Sequence, residues 1–359
     1  MAGHAAEYEW RGEGDEAEIV LYAPGESVIE RVLPAARLPG VESPVYAAAS
    51  SAGFGWVAAS ATHLAPDLLS APLRGLLLVA GTRSDNLGVP PQELRDRVLR
   101  ELPEAGSRLP SVNASGVGRL CESGARGAAE DGLVEEEDLP LLDVRQGDAD
   151  AVGRRALADG PRAWEGGVEP DLRLVTEILD TEGAEILGLE EGVLAFVLEV
   201  DAGDLGRLAL AAHRERILSR VRSKEFGEDS ELPAVPAERG EAEDLVAALH
   251  AAANFADARA ARALWMLRRV LGDVAGGLDI RAAWRTGGIE DQDGLLVHRN
   301  GLALAGDGHV LVCGSYAAAG TGNMWASAPP FGIPGEEDRW PWEEIGLLER
   351  LAALDPPEG

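Results

Sequence analysis

The segment that decides the fold is 238–273, ERGEAEDLVAALHAAANFADARAARALWMLRRVLGD. Its alanine content and its apolar residues at helical spacing predict one long helix. Within it, His250 to Ala256 read HAAANFA, where an asparagine stands among the smallest residues of the helix. Small residues let a neighbouring segment approach the backbone closely. A buried amide must be paired, so Asn254 is expected to hold a neighbouring loop by hydrogen bonds.

On either side the pattern alternates between strands and helices. Upstream, 16–24 (EAEIVLYAP) predicts one short strand and 25–41 (GESVIERVLPAARLPGV) a short amphipathic helix ended by Pro and Gly. The stretch 44–64 is rich in small residues and is open between strand and loop. The run 73–81 (LRGLLLVAG) predicts a buried strand, and 90–106 a helix with Pro at its start and Gly past its end. Two polar helices are expected within 121–160, joined by the acidic linker VEEEDLP at 134–140. Strands are expected at 171–180 and 191–203, then a long helix over 205–227 bearing Arg214, Arg216, Arg220 and Arg222. These arginines could meet RNA phosphates, but in so acidic a chain pairing with nearby Asp and Glu is the plainer reading. Three strands follow within 278–316, and a short helix is expected after the Pro- and Gly-rich stretch 320–346. No internal repeat and no clear linker interrupts the chain. The expected class is mixed α/β (α+β) in a single large domain.

Composition narrows the function. The chain has 359 residues, of which 46% are hydrophobic and 5% aromatic, so it can build a core of Ala, Leu and Val. With 62 acidic and 32 basic residues the formal charge is −30, and Lys224 is the one lysine. Such a surface repels polyanions at long range and suits a salt-rich cytoplasm, where screening shortens that repulsion to roughly 3 Å at about 1 M salt. Cys121 and Cys313 form no disulfide framework, and neither a signal segment nor an apolar run of membrane-spanning length is seen. A cytoplasmic protein without membrane attachment is expected.

Few motifs carry chemistry. The six histidines show no metal-site spacing. There is no glycine-rich nucleotide fingerprint, and Lys224 lacks the setting of a nucleotidyl-accepting lysine; a solvated helix position is expected for it. The segment 297–301, VHRNG, reads either as a strand end with surface cations or as a His298–Arg299 pair that binds an anion. The loop 314–325, GSYAAAGTGNMW, reads either as a plain loop or as a backbone cradle for phosphate around Ser315.

Taken together, AAANFADAR at 251–259, VHRNG at 297–301 and VLVCGSY at 310–316 resemble the RtcB family of RNA-splicing ligases. The stretch 175–206 follows the family's strand-helix-strand pattern, and VIERVLPAARLPGV (28–41) and GFGWVAA (53–59) look like its N-terminal segments. The resemblance covers roughly 25–325. It sets 1–24 apart as an N-terminal segment and 326–359 as a shortened tail.

The resemblance implies an RtcB-type fold and the joining of RNA phosphate ends to 5′-hydroxyl ends with GTP and manganese, through a guanylylated histidine. This chain departs from the family where that chemistry sits. The Asp-x-x-Cys-Gly segment falls near 71–81, Gly-Asn-His at 166–168, His-Thr-Gly-Ser-Arg at 199–203, and Ser-His-Asn near 283–285; none carries the expected ligands. No His-Gly-Ala-Gly-Arg segment follows Gly314-Ser315. The resemblance therefore implies a catalytically degenerate member in RNA processing or repair, with no catalytic residue and no cofactor expected. His298, Arg299, Asn254 and Ser315 are the candidate contacts to an anion, RNA or nucleotide. RNA ends or a catalytic RtcB paralogue are the candidate partners. The alternative is an active GTP- and Mn-dependent ligase with relocated ligands, or another metal-dependent activity in the old cleft. Glu199, Asp201 and Asp204 are the candidate carboxylates for it.

Overall fold

The computed structural model describes residues 8–13, 18–23, 26–50, 53–69, 74–83, 89–90, 93–94, 96–98, 100–101, 111–132, 139–140, 142, 145–165, 169–178, 190–222, 233–272, 278–285, 287–292, 294–300, 302–305, 309–312, 322–324, 326–327 and 346–352. Lys224, Cys313, Ser315 and positions 166–168 lie outside them, as do the side chains of Glu199 and Arg222.

Helices and strands mix as expected. The chain opens with β1 (Tyr8–Glu13), β2 (Glu18–Ala23), α1 (Glu26–Ala36), β3 (Val41–Ser50), β4 (Gly53–Ser60), β5 (His63–Leu64) and β6 (Arg74–Arg83). Then come α2 (Ala114–Glu130), α3 (Ala149–Val152), α4 (Arg154–Glu165), β7 (Glu169–Ile178), β8 (Val193–Asp201), α5 (Gly203–Arg222) and β9 (Val235–Pro236). The C-terminal part holds α6 (Gly240–Leu271), β10 (Asp279–Arg285), β11 (Gly287–Gln292), β12 (Leu295–Asn300), β13 (Leu302–Ala305), β14 (His309–Val312), β15 (Gly322–Met324), β16 (Ala326–Ser327) and β17 (Gly346–Ala352).

Among the described residues two six-stranded sheets form, in the orders β1-β2-β3-β4-β12-β11 and β10-β6-β8-β7-β17-β15. Every pair in the first sheet is antiparallel except β2 and β3, which α1 connects as a crossover. Because β12 pairs with β4, early and late parts of the chain share one sheet. Three expectations change and one open reading is settled; within 278–316 five strands, β10 to β14, form in place of the three expected. The N-terminal segment carries two strands rather than one, joined as a hairpin. The open stretch 44–64 lies largely in strands, where small residues tolerate close sheet packing. The segment expected as a last helix is the strand β17, held by antiparallel pairing with β7; tertiary pairing overrides local preference there.

The long helix α6 is the axis of the main core. Glu241 and Glu243 in its first turn and Arg268 and Arg269 in its last complement its dipole. Its apolar and small residues pack with α2, α5 and β8 in one buried cluster that includes Phe196, Leu205, Phe255 and Leu264. A second cluster packs α1 against the first sheet through Val32, Leu38, Val45 and Trp56. No described helix is long and apolar enough to cross a membrane.

Candidate functional site

The site is built on one face of α6. His250, Asn254 and Asp257 stand at i, i+4 and i+7, so they project in one direction. Asn254 is fully buried, and its amide is used on backbone. Its Oδ1 accepts from the Arg145 N–H at 2.9 Å, while its Nδ2 donates to the Arg145 carbonyl at 2.9 Å and to the Cys121 carbonyl at 2.9 Å. The Cys121 carbonyl precedes a break in α2 at Gly124, whose φ of 55° and ψ of −139° interrupt the helical ladder. The segment 145–148 then runs along α6, with the Asp148 N–H donating to the Ala247 carbonyl at 3.3 Å. A Cβ on Gly147 would lie 2.6 Å from Ala251 Cα, so the alanines beside Asn254 admit that backbone. The expectation that Asn254 holds a neighbouring loop is met by this geometry.

The clamp delivers the Arg145 side chain to a charged cluster. Arg145 donates to Glu290 and lies 3.9 Å from Asp257. Arg299 donates to Glu290 at 2.8 Å, and Arg285 donates to Asp257. The β11–β12 register puts Glu290 opposite Val297, on the face that Arg299 shares. Arg299 is 2% exposed. Burial raises the Glu290 carboxyl, but Arg299 and Arg145 outweigh it and hold the group below its ordinary value. Among the described residues these pairs join three guanidiniums to two carboxylates, in a chain of net charge −30. His250 adjoins the cluster. Its imidazole is kept below its usual range by burial and by Arg145, and its buried Nε2 has no hydrogen-bond partner among the described residues. The chemistry this arrangement supports is oxyanion recognition, since guanidiniums donate in forks and do not exchange protons at neutral pH.

The other sequence-predicted residues fall elsewhere. His298 and Arg299 are successive residues of a strand and project to opposite faces, so they do not form one anion contact. Nor are they surface cations: both are buried. The His298 Nδ1 lies 3.0 Å from the Leu296 carbonyl, and burial pushes the imidazole down to about 4, so it is neutral. Asp201 accepts from Arg259 at 2.9 Å and from the Gly203 N–H at 2.8 Å. Asp204 pairs with Arg207 at 2.7 Å on the surface. A guanidinium on the Asp201 carboxylate does not fit a manganese ligand, and among the described residues no group of three or more His, Cys, Asp or Glu could hold a metal ion. On α5, Arg214 pairs with Asp67, Arg216 with Asp244 and Arg220 with Glu241, as the acidic composition suggested.

Sequence reading did not find Arg145, Arg285, Glu290 or Asp257. Arg145 and Glu290 lie 145 positions apart, and only the Asn254 fingerprint pointed toward the place where these residues meet.

No protein-family profile matches the chain. The chain is similar to the tRNA-splicing ligase RtcB of Pyrococcus abyssi, with 29% identity over 195 residues, 49% of this chain. The matched part spans 21% of that protein's length. This distant similarity suggests an RtcB-like relationship.

Proposed function

We propose that this chain is an RtcB-like protein that has lost ligation chemistry and keeps a binding or regulatory role in RNA processing or repair. Its ligand is an RNA phosphate end; a catalytic RtcB paralogue is its candidate protein partner. The observation that carries the reading is the use made of the family-like residues. Asn254 is spent on backbone, and Arg299 is joined with Arg145 and Arg285 in a cationic cluster. His250 beside the cluster is a buried imidazole, and among the described residues no group of metal ligands surrounds it. The relocated-ligand alternative draws no support from Asp201 and Asp204, which each hold an arginine. Manganese and GTP have no step in this account.

The test is fluorescence anisotropy of a short RNA bearing a 3′-phosphate. The native chain binds it, and Arg145→Met weakens binding by about tenfold, the scale of a lost charge-assisted contact. Equal affinity of the native chain for the same RNA with a 3′-hydroxyl end would overturn the reading.

A further inference from the structure

A second cluster lies on another side of α6. At about 100° per residue, Arg259 and Arg262 project well away from His250, Asn254 and Asp257. Both are 5% exposed. Arg259 donates to the carbonyl of Asp201 and, at 2.9 Å, to its carboxylate. Arg262 donates to the Trp164 carbonyl, and its guanidinium carbon lies 5.0 Å from the centre of the Trp164 ring. Trp164 is 1% exposed.

The unusual feature is a surplus of donors. Arg262 Nε and Trp164 Nε1 are buried N–H groups with no acceptor among the described residues. A buried donor left unpaired costs about 1–3 kcal/mol, more when the group is charged, so two on neighbouring side chains call for an acceptor. Asp201 is paired with Arg259, and the carboxylate that acts on Arg262 is the exposed Glu165. Burial first, and then the charge of Arg259, pull Arg262 down to about 10. The N-terminus of α5 adds its dipole at the same place, because a Cβ on Gly203 would lie 3.7 Å from Arg259 Nη1. Asp201, with a side chain one-third exposed, marks the edge toward solvent.

We propose that the Arg259–Arg262–Trp164 cluster binds a small oxyanion of the phosphate class, as free phosphate or as a phosphate monoester. A tetrahedral oxyanion offers several oxygens to donors that lie on two neighbouring planar groups, which a single-atom anion cannot do. The site is independent of the Arg145 cluster and does not rest on the RNA-binding reading.

The test follows the Trp164 indole N–H of the full-length chain by 15N NMR while inorganic phosphate, methyl phosphate or chloride is added at matched ionic strength. Saturable movement of that resonance with inorganic phosphate is expected. Equal movement with methyl phosphate identifies a monoester end as a ligand; movement with inorganic phosphate alone identifies the free ion. Arg262→Lys weakens phosphate binding by about tenfold, read at the same resonance, whereas Arg207→Gln, which removes an exposed cation, leaves it unchanged. No movement with either phosphate, equal movement with chloride, or equal weakening by Arg207→Gln would overturn the proposal. If the buried-site variant fails to fold, the titration of the native chain decides alone.

Discussion

Asn254 pairs with both backbone polar groups of Arg145, accepting from its N–H and donating to its carbonyl, each at 2.9 Å. One side chain thus copies the pairing that a neighbouring strand would supply. It fixes the loop that carries Arg145, and its remaining donor reaches Cys121 at the break in α2. Asn254→Ala leaves three backbone groups without this partner. The expected loss is about 3 kcal/mol or more in urea unfolding, at roughly 1–3 kcal/mol for each unsatisfied group that water cannot reach. A loss below about 1 kcal/mol would mean that the loop is held by other means.

The close approach of Gly147 to α6 gives a second prediction. A Cβ there meets Ala251 Cα at 2.6 Å, Ala251 N at 2.7 Å and the Cys121 carbonyl at 2.7 Å. All three are backbone atoms and cannot turn aside. Gly147→Ala therefore destabilises by roughly 2–4 kcal/mol through overpacking. Gly153, with φ at 90° and nothing within 4 Å of a Cβ, is the control. Gly153→Ala meets only conformational strain, about 1–2 kcal/mol. Comparing the two unfolding midpoints separates steric from conformational cost.

His298 makes stability depend on pH. Its folded value of about 4 lies below the unfolded value near 6.5. Between these the unfolded chain binds the extra proton, so stability is full above about pH 6.5. It falls as pH drops toward 4 and levels off below, for a total of about 3 kcal/mol. His213 and His250 are also held below their usual range, chiefly by burial, and act in the same direction. His298→Leu should flatten the urea-midpoint profile between pH 6.5 and 4 by the His298 share. An unchanged slope would contradict the buried neutral imidazole.

Glu290 is shared by Arg145 and Arg299. Glu290→Gln removes the counter-charge of an arginine that is 2% exposed. The expected cost is about 3–5 kcal/mol, the scale for breaking a buried ion pair. Added inorganic phosphate should restore part of it, since Arg299 and Arg145 then lack the carboxylate they share. Thermal unfolding of native and variant chains with and without phosphate checks this.

Much of the fold was legible because it rests on local periodicity. The alanine-rich helix and the apolar run before it at 191–203 needed no partners to be seen. The final strand was missed because Gly346–Ala352 owes its form to pairing with β7, about 170 positions away. For the site, Asn254 was read correctly as a buried amide that must be paired. The VHRNG segment was read either as surface cations or as one anion-binding pair, yet both residues are buried and a strand sends them to opposite faces. Arg299 therefore joined Glu290, while His298 went to an uncharged interior. Arg145 and Arg285 carry no local signal at all, because their role exists only once α6 brings their segments together.

The most direct measurement of the central claim is covalent labelling with radiolabelled GTP and Mn²⁺ on freshly purified protein at high salt. The account predicts no covalent guanylate on the chain under conditions where 3′-phosphorylated RNA still binds. A stable protein–guanylate adduct would contradict it and mark the chain as a working ligase with relocated ligands.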